Sequence, residues 1–159
     1  MEKLLFDEKY YQYALDLIGS AQKEVLLSMF VINFGAYKKE TRVTILMRAL
    51  KEAATRGVDV KVLLSRSQHG KAINKLNSAA VRFLEGCSAK VRYLSAKRCC
   101  HAKILVVDHR AGVVGSHNWT RWALEENFEL SVRIEDQALL AEIRVWFYRL
   151  FGSALPWRE

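Results

Sequence analysis

Apolar segments that alternate with amphipathic helical segments restrict the possible folds of this chain more than any other feature. Val25–Ile32 is almost wholly apolar, which is typical of a strand buried on both faces of a sheet. The helical segments carry apolar residues three and four positions apart. The predicted helices are Tyr11–Ile18 with Asp7 as its N-cap, the segment from Val43 to its terminator Gly57, Lys71–Leu84 and Asp136–Phe151. The predicted strands are Val25–Ile32, Val58–Leu64, Ala89–Leu94, His101–Asp108, Val113–His117 and Phe128–Ile134.

The order of these elements, α-β-α-β-α-β-β-β-β-α, predicts an α/β fold with a mixed sheet flanked by helices on both faces. The sequence has 159 residues and shows no linker or repeat, so we expect one domain over residues 1–159. With 51% hydrophobic residues and one proline, the composition excludes a disordered protein.

Two further features concern the location of the protein. Its longest apolar runs are too short to span a bilayer, and the N-terminus lacks the apolar region of a secretory signal, so we expect a cytoplasmic protein without membrane insertion. Cys87, Cys99 and Cys100 are odd in number and lack the spacing of a zinc site, which favours free thiols in a reducing compartment. Because Cys99 and Cys100 precede His101, a redox influence on that histidine is the alternative.

The positive charge is concentrated in the middle of the chain. Residues 38–110 contain 17 Lys and Arg against 5 Asp and Glu, whereas the rest of the chain is net negative. Such a field attracts polyanions such as nucleic acid or anionic lipid headgroups. A solvated basic surface without a partner is the other interpretation.

The segment from His101 to Asn118 carries the most specific chemical signal. In a strand, His101 and Lys103 project to the same face, and burying an imidazole and an ammonium together without partners is costly. Beside a phosphate the pair is useful, because the histidine can attack phosphorus or transfer a proton while the lysine neutralises an oxygen. A tight turn at residues 109–112 would bring Ser116 and Asn118, as hydrogen-bond donors, near this pair.

The pattern His-x-Lys-x4-Asp-x6-Gly-Ser-x-Asn over residues 101–118 resembles the HKD motif of the phospholipase D superfamily at every position. Residues 25–30, residues 53–64 and the Asn-x-Glu at 127–129 also resemble segments of that family, so the resemblance covers nearly the whole chain. In size and in having one motif, the chain is most similar to the small bacterial endonucleases of the superfamily.

The resemblance implies a metal-independent and cofactor-free phosphodiesterase in which two HKD motifs share one site. One histidine forms a phosphohistidine, and the other protonates the leaving oxygen and then activates water. In-line displacement also requires two histidines, since one imidazole cannot lie on both sides of phosphorus. His69-Gly70-Lys71 matches only His-x-Lys, and His109 and His117 do not match at all, so we expect a homodimer with the two copies of His101 at its twofold axis.

Several other residues are candidates for supporting roles. Gly115 would allow close backbone approach, and Asp108, on the opposite face from His101, is expected to be structural. Glu129 resembles the acid that orients the histidine in relatives, although an exposed strand-edge carboxylate is the alternative.

Substrate contacts are expected less firmly. Arg66, His69 and Lys71 lie in or beside a loop at a strand end and either contact the substrate backbone or are ordinary surface residues. Trp119 and Trp122 either stack on bases or, more commonly for aromatic residues, pack in the fold.

The sequence leaves three functions open. Cleavage of DNA or RNA is favoured by the charge distribution and by a motif that recognises phosphate rather than bases. A phospholipase or phosphatidyltransferase would use the same chemistry, but lipid enzymes of the superfamily usually have two motifs in one chain, and no amphipathic anchor is evident. A catalytically silent nucleic-acid-binding module is the third, and the intact motif argues against it.

Overall fold

We describe a computed structural model of the chain over residues 3–35, 39–66, 70–94 and 98–157. The helices are α1 (Lys9–Gly19), α2 (Arg42–Thr55), α3 (Lys71–Leu84) and α4 (Gln137–Ser153). The strands are β1 (Leu4–Phe6), β2 (Glu24–Met29), β3 (Asp59–Ser65), β4 (Lys90–Leu94), β5 (Lys103–Val107), β6 (Ala111–Gly115), β7 (Leu130–Ile134) and β8 (Leu155–Pro156). A π-helical turn, Trp122–Glu126, precedes β7.

Within the described ranges the strands form one eight-stranded sheet in the order β1-β7-β6-β5-β2-β3-β4-β8. Strands β2, β3 and β4 are parallel, because helices α2 and α3 connect them. The chain then returns through β5, β6 and β7, which pair antiparallel with their neighbours, so the sheet is mixed as predicted.

The core lies in two layers, one on each face of the sheet. Alternate strand residues such as Leu27 and Leu105 pack against α1, α2 and α3. Their sequence neighbours Leu26 and Val106 face the other way and pack against α4. This division confirms the predicted α/β arrangement with helices on both faces. No helix in the described part of the chain has the length and apolarity needed to cross a bilayer.

Local sequence signals explain three of the helix ends. The Thr41 side chain accepts a hydrogen bond from the Thr44 backbone at the start of α2, and Asp136 does the same for Leu139 in α4. Gly57 follows α2 with a φ of +93°, which favours glycine.

The prediction that Asp7 caps α1 is wrong. Glu8 occupies the N-cap position of α1 and makes no side-chain cap hydrogen bond. The Asp7 carboxylate instead accepts a hydrogen bond from the backbone N–H of Glu129, 2.8 Å away, and so joins the start of the chain to β7. A hydrogen bond between residues 122 positions apart thus replaces the local cap that the sequence pattern predicts.

Of the strands that carry the motif, β5 is shorter than predicted, and β6 begins and ends two residues earlier than predicted. The turn between β5 and β6 begins at Asp108, since Asp108 and His109 both have positive φ and Arg110 N–H donates to Val107 O at 3.0 Å. His101 precedes β5 and Ser116 follows β6, so both lie outside the strands as the structure has them. Within β5 and β6 the predicted alternation of faces holds.

Candidate active site

The motif residues meet at one edge of the sheet. Strands β2 and β6 end there, and β5 and β7 begin there. This edge is also the carboxyl end of the parallel strands, which is where α/β sheets usually bind ligands. Because antiparallel β5 and β6 are joined by a short turn at the opposite edge, Lys103 and Gly115 are direct register partners.

His101 and Lys103 form the centre of this edge. The Lys103 ammonium lies 2.8 Å from His101 Nδ1 and 3.4 Å from Nε2, and it donates to the His101 carbonyl oxygen at 2.7 Å. The imidazole packs against the Phe30 ring, with 4.6 Å between the ring centroids. The exposed imidazole thus contacts both an aromatic ring and a cation, and the cation itself lies 5.7 Å from the centroid of that ring.

Lys103 is a nearly buried cation, with only 7% of its surface exposed. In the described part of the chain no carboxylate lies within ion-pair distance of it. Burial lowers the pKa of Lys103, although Glu129 acts in the opposite direction. A buried ammonium without a counter-ion is costly unless an anion arrives, so this position suits a phosphate oxygen.

The protonation state of His101 follows from its surroundings. Partial burial, and then the neighbouring Lys103 ammonium, lower the pKa of His101 below its ordinary value of 6.5. The imidazole is therefore predominantly neutral at pH 7, which is the form in which a ring nitrogen can attack phosphorus.

Ser116 and Glu129 lie on the β6–β7 side of His101. The Ser116 hydroxyl donates to Glu129 Oε2 and accepts a hydrogen bond from the Leu130 backbone at 3.1 Å. Asn127 Nδ2 donates to the other oxygen, Glu129 Oε1, at 3.0 Å. Within the described chain Glu129 makes no hydrogen bond to His101, so the expected orienting contact is not formed within one copy of the protein.

Asn118 and a residue that the sequence did not single out, Asn77, fix the backbone around Phe30. Asn118 Oδ1 accepts from the Val31 N–H at 3.3 Å. The Asn77 side chain is fully buried; it accepts from Ile32 N–H at 2.9 Å and donates to the carbonyl oxygens of Phe30 and Ser65. The sequence does carry a signal for Asn77, since it is a polar residue on the apolar face of the predicted helix Lys71–Leu84.

Asp108 and Gly115 have structural contacts. Asp108 lies at the far end of β5 from His101, and its carboxylate accepts three hydrogen bonds of 2.7–2.9 Å from the backbone N–H groups of residues 22–24. Burial alone would raise the pKa of Asp108, but these hydrogen bonds lower it overall. A Cβ on Gly115 would lie 2.5 Å from the Leu130 carbonyl oxygen, so this glycine permits the close pairing of β6 with β7.

Two other motif neighbours belong to the core. Trp119 is fully buried and donates through Nε1 to the Tyr10 hydroxyl at 3.0 Å. Of the two interpretations of Trp119, packing in the fold is confirmed, and its role as a substrate-stacking residue is wrong because no face of its indole is accessible. His117 is also fully buried, stacks on Tyr10 and bonds Ser131 Oγ and the Asp7 carbonyl oxygen; burial lowers its pKa. Trp122 is exposed.

Arg66 and Lys71, two of the remaining substrate candidates, follow β3 at the same edge of the sheet. The Arg66 guanidinium lies over the rings of Tyr93 and Trp157, at 4.9 and 5.6 Å from their centroids. Lys71 is exposed at the first position of α3. His69 lies outside the described residues.

Neither metal-ligand clusters nor disulfides are found in the described ranges. These residues contain no group of three or more His, Cys, Asp or Glu side chains placed to hold a metal ion. Cys87, Cys99 and Cys100 are free thiols, and buried Cys100 lies 3.3 Å from Ser28 Oγ.

The comparison with known families accords with this geometry. Residues 14–151 match the family described as "Cardiolipin synthase, PLD-like domain". The chain belongs to the phospholipase D-like family. Members of the phospholipase D superfamily are phosphodiesterases that act as hydrolases or transferases, and the predicted resemblance to this superfamily is confirmed.

Individual relatives differ in length and similarity. A phospholipase D from Rickettsia typhi is 32% identical over 113 residues, which are 70% of this chain and 53% of the relative. The chain thus spans about half or less of the length of the first curated relatives that it matches.

Two solved structures match the phospholipase D-like chain from end to end. Nuc from Salmonella typhimurium, a phospholipase D family member, has a TM-score of 0.80, 21% identity and 98% coverage of both chains. NucT from Helicobacter pylori has a TM-score of 0.77, 20% identity and 97% coverage of both chains. At these identities the likeness shows that the fold is shared.

Proposed function

We propose that this phospholipase D-like protein is a nuclease, which hydrolyses phosphodiester bonds of DNA or RNA without a metal ion and through a phosphohistidine on His101. The observation that carries the proposal is the nearly buried Lys103 ammonium, held 2.8 Å from a His101 ring nitrogen without a counter-ion among the described residues. This pair supplies a nucleophile and a positive charge at one point.

The reaction would proceed in two displacements. A ring nitrogen of neutral His101 forms a bond to phosphorus while the bond from phosphorus to the leaving ester oxygen breaks. That oxygen takes a proton from a second imidazole, so the reactive form has one neutral and one protonated imidazole and is a minor fraction at pH 7, where the lowered pKa of His101 favours the neutral form. The second imidazole then removes a proton from water, and the water oxygen displaces His101 from phosphorus and releases a phosphate monoester. The Lys103 ammonium neutralises charge on a non-bridging oxygen in both steps.

The second imidazole is proposed to be His101 of another copy of the chain. His117 is unsuited because it is fully buried, and His109 bonds Glu24 at the opposite edge of the sheet. In-line displacement needs the acid on the side of phosphorus opposite the nucleophile, which a twofold axis between two copies provides. Nuc and NucT match over 97–98% of their own lengths, which supports a fold that occurs in chains with one copy of the domain.

An open apolar surface beside the site supports this dimer. Helix α4 covers only part of its face of the sheet, and four side chains on β1 and β7 are left 41–50% exposed. They are Leu4, Phe6, Leu130 and Val132. Phe128, fully exposed next to Glu129, continues the patch to the site. Apolar patches of this kind usually mark an interface, and a second copy placed here would bring its own motif to the same edge.

The nucleic-acid substrate is favoured by the charge distribution. The segment from residue 38 to 110 has an excess of 12 positive charges and contains both His101 and Lys103. A polynucleotide gains binding free energy at each of many neutralised phosphates, whereas a single lipid headgroup, zwitterionic or anionic, presents far fewer. A lipid phosphodiester is the second candidate, because the matched family is described as cardiolipin synthase and a relative as phospholipase D.

A substrate panel in EDTA tests the proposal. Single-stranded DNA, plasmid, RNA and phosphatidylcholine vesicles are incubated with the wild type, His101→Ala and, as a matched histidine control, His109→Ala. We expect cleavage of nucleic acid by the wild type and by His109→Ala, and a loss of about three orders of magnitude or more in His101→Ala. Lipid hydrolysis without nucleic-acid cleavage would support the second candidate instead, and no phosphodiesterase activity at all would refute both.

The dimer is tested with two exposed leucines on the two outermost strands of the sheet. Leu4 on β1 is 43% exposed within the open apolar surface, and Leu155 on β8 is 49% exposed away from it. Sedimentation should show a dimer for the wild type and Leu155→Glu and a monomer with little activity for Leu4→Glu. A fully active monomeric wild type would contradict the shared site.

A further inference from the structure

A cavity of about 430 Å³ opens beside His101, on the side away from Ser116 and Glu129. It lies between the segment that leads into β5 and the second half of α4. Since β5 is in the middle of the sheet, His101 stands between this cavity and the β6–β7 side of the site. The volume falls within the range of small-molecule sites.

Two arginines from separate elements line the cavity. Arg98 lies three residues before His101, and Arg149 lies on α4. Both are exposed, and neither has a hydrogen-bond or ion-pair partner in the described part of the chain. Guanidinium groups bind phosphate oxygens through paired hydrogen bonds, so two such groups at one rim suit a phosphate.

The rest of the cavity wall is largely apolar. Trp146, which is half-buried on α4, contributes an indole, and Leu94 and Leu150 contribute aliphatic side chains. A wall of this kind accommodates a nucleoside, because a base gains free energy by contact with an aromatic surface. The two arginines at the rim suit the phosphate of a nucleotide, and the apolar wall suits its nucleoside.

We propose that this cavity is a binding site for the nucleotide next to the scissile phosphate, with Arg98 and Arg149 holding its phosphate and Trp146 contacting its nucleoside. The inference rests on the proposed function, since His101 and Lys103 take the scissile phosphate and the cavity takes the neighbouring one. It adds a reason for preferring a polynucleotide to a simple phosphodiester, because only a polynucleotide has a phosphate on both sides of each nucleoside.

Binding of small unreactive ligands tests the site without relying on catalysis. Thymidine 3′,5′-bisphosphate is compared with the 3′- and 5′-monophosphates of thymidine by calorimetry. We expect the bisphosphate to bind at least about tenfold more tightly to the wild type, because each charge-assisted contact of a phosphate is worth roughly a factor of ten. Arg98→Ala/Arg149→Ala should abolish this preference.

Arg48→Ala is the matched control for loss of an exposed arginine. Arg48 lies on α2, which packs on the other face of the sheet, and it pairs with Glu40. This variant should retain the wild-type preference for the bisphosphate. Glycerol 1,3-bisphosphate is the ligand that represents a lipid headgroup. It should bind more weakly than the thymidine bisphosphate because it lacks a nucleoside to contact Trp146.

The outcomes separate the two proposals. Equal binding of bisphosphate and monophosphates, or a preference that persists in the double variant, would overturn the cavity assignment even if the protein cleaves nucleic acid. Equal binding of the two bisphosphates would overturn its nucleotide character. If the preference for thymidine bisphosphate is found but no phosphodiester is cleaved, the cavity assignment stands and the proposed function fails.

Discussion

Replacement of Gly115 by alanine tests how the fold holds the motif. Gly115 is the last residue of β6 and lies between Lys103 on β5 and Ser131 on β7. An added Cβ would lie 2.5 Å from the Leu130 carbonyl oxygen and closer still to the Ser131 Cα and Oγ. Two of these atoms belong to the backbone, so the clash cannot be relieved by rotation of a side chain.

The cost of Gly115→Ala should lie at the upper end of overpacking effects, about 3 kcal/mol of unfolding free energy. For a domain of this length, this corresponds to a fall in Tm of roughly 6–12 °C. Relief of the clash must move the end of β6, which carries Ser116, so the activity of the folded variant should fall as well.

Gly152→Ala is the matched control for Gly115→Ala. Gly152 lies in α4, and an added Cβ would meet no atom within 4 Å. Helix propensity then predicts a gain of up to about 1 kcal/mol. Calorimetry measures both variants. A Tm of Gly115→Ala within about 2 °C of the wild type would refute the reasoning from close strand pairing.

Three further predictions concern stability and protonation. Asp108→Asn should lower the unfolding free energy, measured by urea titration, by about 1–3 kcal/mol at pH 7. Because folding lowers the pKa of Asp108, the difference between variant and wild type should shrink as the pH falls below about 4. A difference that stays constant with pH would contradict this. In the same assay Trp119→Ala should lower the unfolding free energy by about 3–5 kcal/mol, because Trp119 is fully buried. Trp122→Ala should lower it by no more than about 0.5 kcal/mol, because Trp122 is exposed, and similar losses in the two variants would contradict this. Lys103→Met should raise the pKa of His101 in an NMR titration, and an unchanged or lower pKa would show that the ammonium does not act on the imidazole.

The central fold could be predicted from the sequence because its signals are local. The apolar spacing in Lys71–Leu84 gives the bounds of α3 as the structure has them, and the almost wholly apolar run Val25–Ile32 identifies buried β2. The motif residues could be placed at one edge because antiparallel strands joined by a short turn must bring residues 101–103 close to residues 115–118.

Other features depend on contacts that no local pattern reveals. Strands β1 and β8 have three and two residues, too few to show a period, and they form only because a sheet edge is available for pairing. The position of Trp119 after the motif could not decide between core packing and base stacking, because its burial depends on Tyr10, 109 residues earlier. Arg149 likewise reaches the neighbourhood of His101 only through the path of α4 across the sheet.

The stereochemical course at phosphorus tests the central claim most directly. A dinucleoside phosphorothioate of a single configuration at phosphorus is hydrolysed in ¹⁸O-labelled water by the wild type, with His101→Asn as the inactive control. Two in-line displacements through a phosphohistidine on His101 predict overall retention of configuration. Inversion of configuration would show a single attack by water and would contradict the proposed nucleophilic role of His101.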